Sequence, residues 1–229
     1  MGSVGVTTAK ITTDAQDKTI NKLARQTRDL KSEQLRIVNE AGEVVYTAKG
    51  GAHEVASTVG VKRQFDDGAV VIHNHPAGGT FSQADLRDFG YGARQIVVAT
   101  PEGTYYLTNL KYGTPEAKSG WLNMFDKMDE TGITNERSFL DIRKEAQQAP
   151  HIVKLSDQMK DISNQWVQAR NAGATPESQQ KLLDTYGRLE AQYHTAIQKE
   201  QRRVETQPTD DFYKKNARKY GFEYTFVKR

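Results

Sequence analysis

One uninterrupted apolar run, Ala69-Val70-Val71-Ile72, constrains this chain more than any other stretch. It reads as a buried strand and ends abruptly in His73-Asn74-His75-Pro76, followed by Ala77-Gly78-Gly79-Thr80-Phe81 and then Ser82-Gln83-Ala84-Asp85. Side chains two apart on a strand point to the same side, so His73 and His75 present two imidazoles together at the strand's end. Asp85 falls in the first turn of a helix read over Ser82 to about Phe89, and the Gly-Gly bend can swing that turn back over the strand end. Two neutral imidazoles and one carboxylate suit Zn2+ and leave a fourth position for water, as catalytic zinc sites do. A plainer reading stands beside this one. The histidines are then polar residues at a loop, Ser82 an ordinary helix N-cap, and Asp85 a favourable charge near the positive helix end.

Around that run the text alternates strands and helices. Asp14 to about Lys31 reads as a helix, with Asp14 as N-cap and Ile20, Leu23 and Leu30 as sparse anchors. Leu35-Arg36-Ile37-Val38 and Val44-Val45-Tyr46 flank a turn at Gly42 and read as a β-hairpin. A short element is expected around Val55 to Val61, a second buried strand over Gln95 to Thr100, and a strand at Tyr105-Tyr106-Leu107 after the Glu102-Gly103 turn. Residues 33 to 109 are therefore expected to form a compact mixed α/β domain.

Beyond about residue 112 the rhythm changes. Two short helices are expected, near Trp121 to Met128 and Phe139 to Ala146; the spacing of Trp121, Met124, Phe125 and Met128 is that of a packed helix face. Leu155, Met159, Ile162, Trp166 and Ala169, and then Leu182, Tyr186, Leu189, Tyr193 and Ala196, form two heptad stripes. Between them lies Asn171-Ala172-Gly173-Ala174-Thr175-Pro176, with Gly173 to end one helix, Thr175 to cap the next and Pro176 at its first position. Together these predict an antiparallel helical hairpin. Phe222, Tyr224 and Phe226 alternate, which predicts a final strand returning to the sheet. The expected organisation is an N-terminal extension over 1–31, a core over 32–112 and a helical appendage over 113–229.

Composition closes off several functions. The chain has no cysteine, so disulfides and thiolate ligands are excluded and any metal must be held by His, Asp or Glu. Its apolar fraction is 36% and its mean hydropathy −0.74, which is polar for one tightly packed globule of 229 residues and predicts solvated helices outside the core. Net charge is only +3, from 32 basic and 29 acidic residues intermingled. The basic tail (Lys214, Lys215, Arg218, Lys219, Lys228, Arg229) is diluted by Asp210, Asp211 and Glu223, so nucleic acid is not the expected partner. No apolar run approaches a membrane span, and no membrane partner is expected. Met1-Gly2-Ser3 reads as a tag remnant, and Val6 stands where a myristoylation pattern needs Ser or Thr. His53, His151 and His194 lie far from the paired histidines in sequence.

His73-x-His75, six residues from Pro76 to Phe81, then Ser82-x-x-Asp85 closely resembles the signature of the JAMM (MPN+ or JAB) metalloproteases. The spelling HNHP is similar to the prokaryotic branch, which includes RadC-type proteins and JAB domains of phage and toxin-like proteins. The spacing before Ser82 is one residue shorter than the family's usual one, a difference that the Gly-Gly bend absorbs. The resemblance covers residues 33 to 109. It implies a JAB/MPN-like (cytidine-deaminase-like) central mixed sheet with flanking helices, joined here to the C-terminal hairpin. It also implies zinc on His73, His75 and Asp85, Ser82 stabilising a tetrahedral oxyanion, and a glutamate at the opening of the first core strand as the base that activates zinc-bound water. Glu33, in Ser32-Glu33-Gln34-Leu35, fits that place; Glu54 beside His53, and Glu40 and Glu43 in the hairpin turn, are the alternatives. The implied activity is hydrolysis of a peptide or isopeptide bond, including those of ubiquitin-like conjugates. Two other functions stay open: a phage- or toxin-associated module of the same fold that assembles with little catalysis, and a RadC-like protein acting around DNA. The hairpin is expected to recognise a substrate or a partner.

Overall fold

A computed structural model describes residues 11–50, 68–76, 78–90, 92–133 and 139–229. The short element expected around Val55 to Val61, with His53 and Glu54, lies outside them. The chain divides into two compact units, residues 1–135 with 208–229 and residues 136–207. The boundaries expected at 31 and 112 both fall inside the first unit, because the N-terminal helix, the helix after residue 115 and the terminal strand all pack on the same sheet.

In the first unit, α1 (Asp14–Thr27) leads into β1 (Gln34–Val38) and β2 (Val44–Lys49), then β3 (Val70–Asn74), α2 (Gln83–Gly90), β4 (Gln95–Thr100), β5 (Gly103–Asn109) and α3 (Glu116–Glu130). Thr13, not Asp14, caps α1. Its hydroxyl accepts from Gln16 N at 3.1 Å while Gln16 Oε1 accepts from Thr13 N at 3.1 Å, a reciprocal box that satisfies two otherwise orphaned donors. The helix stops at Thr27, so Leu30 sits in the following turn rather than on the helix.

The strand order is β2-β1-β3-β4-β5-β6, where β6 is Phe222–Lys228. Only β3 and β4 are parallel, joined through α2; every other neighbouring pair is antiparallel. This is a mixed α/β architecture. Both sheet faces are covered. On one, Ile20, Leu23 and Ala24 of α1 pack on Val38, Val70, Ile72, Val97 and Ala99. On the other, Leu86 and Phe89 of α2, Met124 and Met128 of α3, and Phe212, Tyr213 and Ala217 cover Leu35, Ile37, Val71, Ile96, Val98 and Leu107. Burial on both sides is why β3 and β4 read as unbroken apolar runs rather than alternating ones. The terminal strand pairs with β5, and its register sets Phe222 opposite Asn109, Tyr224 opposite Leu107 and Phe226 opposite Tyr105, all on the α2–α3 face.

In the second unit, α4 (Phe139–Gln147), α5 (Pro150–Asn171) and the part of α6 (Pro176–Asn216) that precedes Pro208 form the helical hairpin and its base. Thr175 Oγ1 accepts from Ser178 N at 3.3 Å, and Pro176 opens α6 as expected. Ile142, Ala146, Ile152, Ile197 and Val204 form the closed core of this unit. Ile152, near the start of α5, shares that core with Ile197 of α6, and a short turn joins the end of α5 to the start of α6, so the two helices run antiparallel.

Candidate metal centre

The site is set by strand register. In the β1–β3 pair Leu35 stands opposite His73, and His73 in turn neighbours Val98 of β4, all on the α2–α3 face. Alternation carries the same face outward to His75 on one side and Glu33 on the other. The β1–β3 pairing ends at Leu35–His73, and Glu33 lies two residues before Leu35, just outside β1. Asn74, between the histidines, ties the end of β3 to the start of β1 through its side chain. It is fully buried on the opposite face, its Oδ1 accepts from Gln34 N at 2.8 Å, and its Nδ2 donates to Ser32 O at 3.1 Å, so it brackets Glu33. His75 N donates to Ala99 O at 3.0 Å, which extends the parallel pairing with β4 by one more bond.

After His75 the chain must reverse to bring α2 over the sheet. Gly78 N donates to His75 O at 3.0 Å, and Gly78 and Gly79 take φ values of 85° and 99°. Those angles are strained for any residue with a Cβ, which is why this bend is spelled Gly-Gly. Phe81 anchors its far end, buried edge-on to Tyr213 at 5.8 Å between ring centroids. The bend returns Asp85 to the histidines. His73 Nε2 lies 3.0 Å from His75 Nε2 and 3.1 Å from Asp85 Oδ1, and His75 Nε2 lies 3.7 Å from Asp85 Oδ2. Among the described residues these three form the one such cluster, with all ligand atoms within 4.8 Å of one another.

The electrostatics suit a cation. His73 is only 4% exposed. Burial, and then the neighbouring His73, pull the His75 imidazole down to about 4 against the opposing pull of Asp85, so it is neutral with a lone pair to give at neutral pH. Backbone hydrogen bonds at Gly79 and Thr80 orient the same ring. For Asp85, burial pushes upward but is outweighed by His73, His75 and the Ser82 N–H, and the carboxyl is held well below its ordinary range.

No family model, curated protein or solved structure matches the chain. His73, His75 and Asp85, expected as ligands, converge. Ser82 lies beside them, exposed, but serves here as the cap of α2: its N–H and hydroxyl donate to Asp85 Oδ2 at 2.6 and 2.9 Å, and its Oγ accepts from Asp85 N at 3.2 Å. The plain capping role and proximity to the cluster hold at once. Glu33 is 8% exposed and immediately precedes β1. Glu40 and Glu43 sit at the far end of β1, on the order of 15 Å away, where Glu40 pairs with Arg94 and Glu43 accepts from Asn39 at 3.0 Å. His151 lies 3.7 Å from Glu200, and His194 lies edge-on to Tyr193, both in the second unit.

Two residues escaped the sequence reading. Asn74 was legible only as a spacer between histidines. Tyr213 is buried close enough to Asp85 that burial, and then that carboxylate, raise its hydroxyl far above the ordinary range. Its place follows from packing between segments over a hundred residues apart, and no local signal carries it.

Proposed function

We propose that the chain is a zinc hydrolase of JAMM type, built on a JAB/MPN-like sheet, that cleaves a peptide or isopeptide bond, with ubiquitin-like conjugates among the candidate substrates. The observation that supports it most is the convergence of three donor atoms from two elements. Donors about 2.0–2.2 Å from a common tetrahedral centre lie about 3.3–3.6 Å apart. His73 Nε2 lies 3.0 Å from His75 Nε2 and 3.1 Å from Asp85 Oδ1, a little inside that figure, while His75 Nε2 lies 3.7 Å from the carboxylate's other oxygen, Oδ2. Two nitrogens and one carboxylate are also the donor set of catalytic rather than structural zinc sites.

When bound, zinc supplies a Lewis acid that makes water acidic near neutral pH and polarises a carbonyl. The rest falls to the side chains. His73 Nε2, His75 Nε2 and Asp85 hold the ion. The Glu33 carboxylate, just ahead of β1, takes a proton from the attacking water and passes it to the leaving amine nitrogen. Ser82 Oγ–H donates to the substrate oxygen as it becomes anionic, which needs only rotation away from Asp85. The helical hairpin is the element left to recognise a substrate protein or a partner.

Elemental analysis of the purified chain tests the reading, with one zinc per chain expected and its loss in His75→Ala. Glu33→Gln is expected to keep the zinc and lose hydrolysis of peptide or ubiquitin-like substrates by roughly 10²-fold or more. A chain that takes up no zinc even when reloaded overturns the proposal. A zinc-loaded chain that cleaves nothing leaves a binding module on the same fold.

A further inference from the structure

The C-terminal segment reaches the metal centre through hydrogen bonds. Thr80, in the bend between His75 and α2, places its Oγ1 2.8 Å from the hydroxyl of Tyr224 on β6. The Tyr224 hydroxyl also bonds Asp210 Oδ1, and Asp210 Oδ2 accepts from Lys214 Nζ at 2.5 Å. The direction of this chain follows from counting protons. A carboxylate only accepts, so Tyr224 gives its one proton to Asp210, and Thr80 must donate to the tyrosine oxygen. Thr80 and Gly79 are also the residues whose backbone groups bond the His75 ring. The Tyr224 ring is held in turn, stacked on Tyr213 at 5.3 Å and on Tyr105 at 6.2 Å.

Gly78 and Gly79 make this bend the most freely jointed part of the site, yet it must hold an imidazole to within tenths of an ångström. Beside the buried Phe81 ring, the side-chain bond from Thr80 to Tyr224 of β6 restrains that freedom. We infer that Tyr224 and Asp210 are positioning residues for the metal centre, fixing the 78–81 bend and through it the His75 imidazole. The inference rests on the zinc reading above.

The test measures zinc dissociation constants by chelator competition, together with the visible absorption of the Co2+-loaded chain, which reports ligand geometry. Tyr224→Phe keeps the stacked ring and removes the hydroxyl; Thr80→Val breaks the same bond from the other end and serves if the first variant folds poorly. Each is expected to weaken zinc binding by about tenfold, the lower end of what outer partners of a metal ligand contribute, and to shift the Co2+ bands. The double variant is expected to be no weaker than either single one, within about twofold, because both remove one link. Tyr106→Phe, a half-buried tyrosine packed on the opposite face of the sheet, is expected to change neither readout. Wild-type affinity and spectra in both single variants, or fully additive losses, overturn the positioning role while leaving the zinc site intact. A wild-type chain that binds neither ion overturns the zinc reading and this inference with it.

Discussion

The sheet unit and the helical unit bury apolar surface differently. In the first, β3 and β4 are closed on both faces and Val70, Val71, Ile96, Val97 and Val98 are fully buried. In the second, both heptad stripes are only half-buried from Leu155 to Ala169 and from Leu182 to Ala196, and closure is confined to the base around Ile152, Ile197 and Val204. Two helices share one seam, so each stripe residue has neighbours on one side only. A sheet covered on both faces also fixes side chains by register, two residues at a time. Holding a metal needs donors placed within tenths of an ångström, and the His73–His75–Asp85 cluster sits on the element that supplies such placement.

The contrast is sharpest for one residue type in both places. Met124 of α3 is fully buried under the sheet, and Met124→Ala is expected to cost about 2–5 kcal/mol, as truncations in closed cores do. Urea unfolding followed through the near-ultraviolet signal measures it. A loss under about 1 kcal/mol would mean that this face is looser than its packing indicates.

Ile197→Ala comes next, at about 2–3 kcal/mol, because Ile197 retains some exposure and its core is small. Amide exchange along α5 and α6 should speed up while zinc stoichiometry stays that of the wild type. Loss of zinc in this variant would break the separation between a site-bearing sheet unit and a helical unit with its own core.

What could be read from the sequence divides along the same line. Ala69 to Ile72, which runs into β3, and Gln95 to Thr100 were legible because burial on both faces leaves unbroken apolar runs. His73, His75 and Asp85 were legible because strand alternation and one helical turn are short-range rules. The Thr13 cap could have been found from Thr13 and Gln16, three residues apart, but Asp14 is also a good capping residue and drew the assignment. The bonds from Thr80 to Tyr224 and from Tyr224 to Asp210 could not be found. They depend on which edge of the sheet the last strand joins, and alternation in Phe222, Tyr224 and Phe226 gives a face but not a neighbour. The specific JAB fold stays with the proposal, since a six-stranded mixed sheet is common to several architectures.

Alkaline pH separates the units by a smaller effect. Burial, and then the bond to Asp210, raise the Tyr224 hydroxyl above its ordinary value near 10, and burial with Asp210 and Glu102 pushes Tyr105 up to about 12. A raised pKa in the folded chain means that the unfolded chain loses its proton first. The stability these tyrosines contribute is therefore complete below pH 10 and is lost as pH rises through their folded values. The urea midpoint of the sheet unit is expected to fall above pH 10, and Tyr224→Phe to flatten part of that fall. An identical alkaline limb in the variant would remove Tyr224 as a source.

Met159→Ala is expected to have the smallest effect, below about 1 kcal/mol, although it removes the same atoms as Met124→Ala. Met159 lines an open groove between α5 and α6 with Ser156, Ser163, Tyr186 and Tyr193, so truncation leaves no closed cavity and water fills the space at little cost. Exchange rates of α5 amides around Met159, compared with those near Ile152, read the change locally. A loss matching that of Met124→Ala would mean that the seam is closed in solution, as it would be if a second pair of helices covered the groove. Sedimentation of the wild-type chain at rising concentration would then show whether those helices come from another copy.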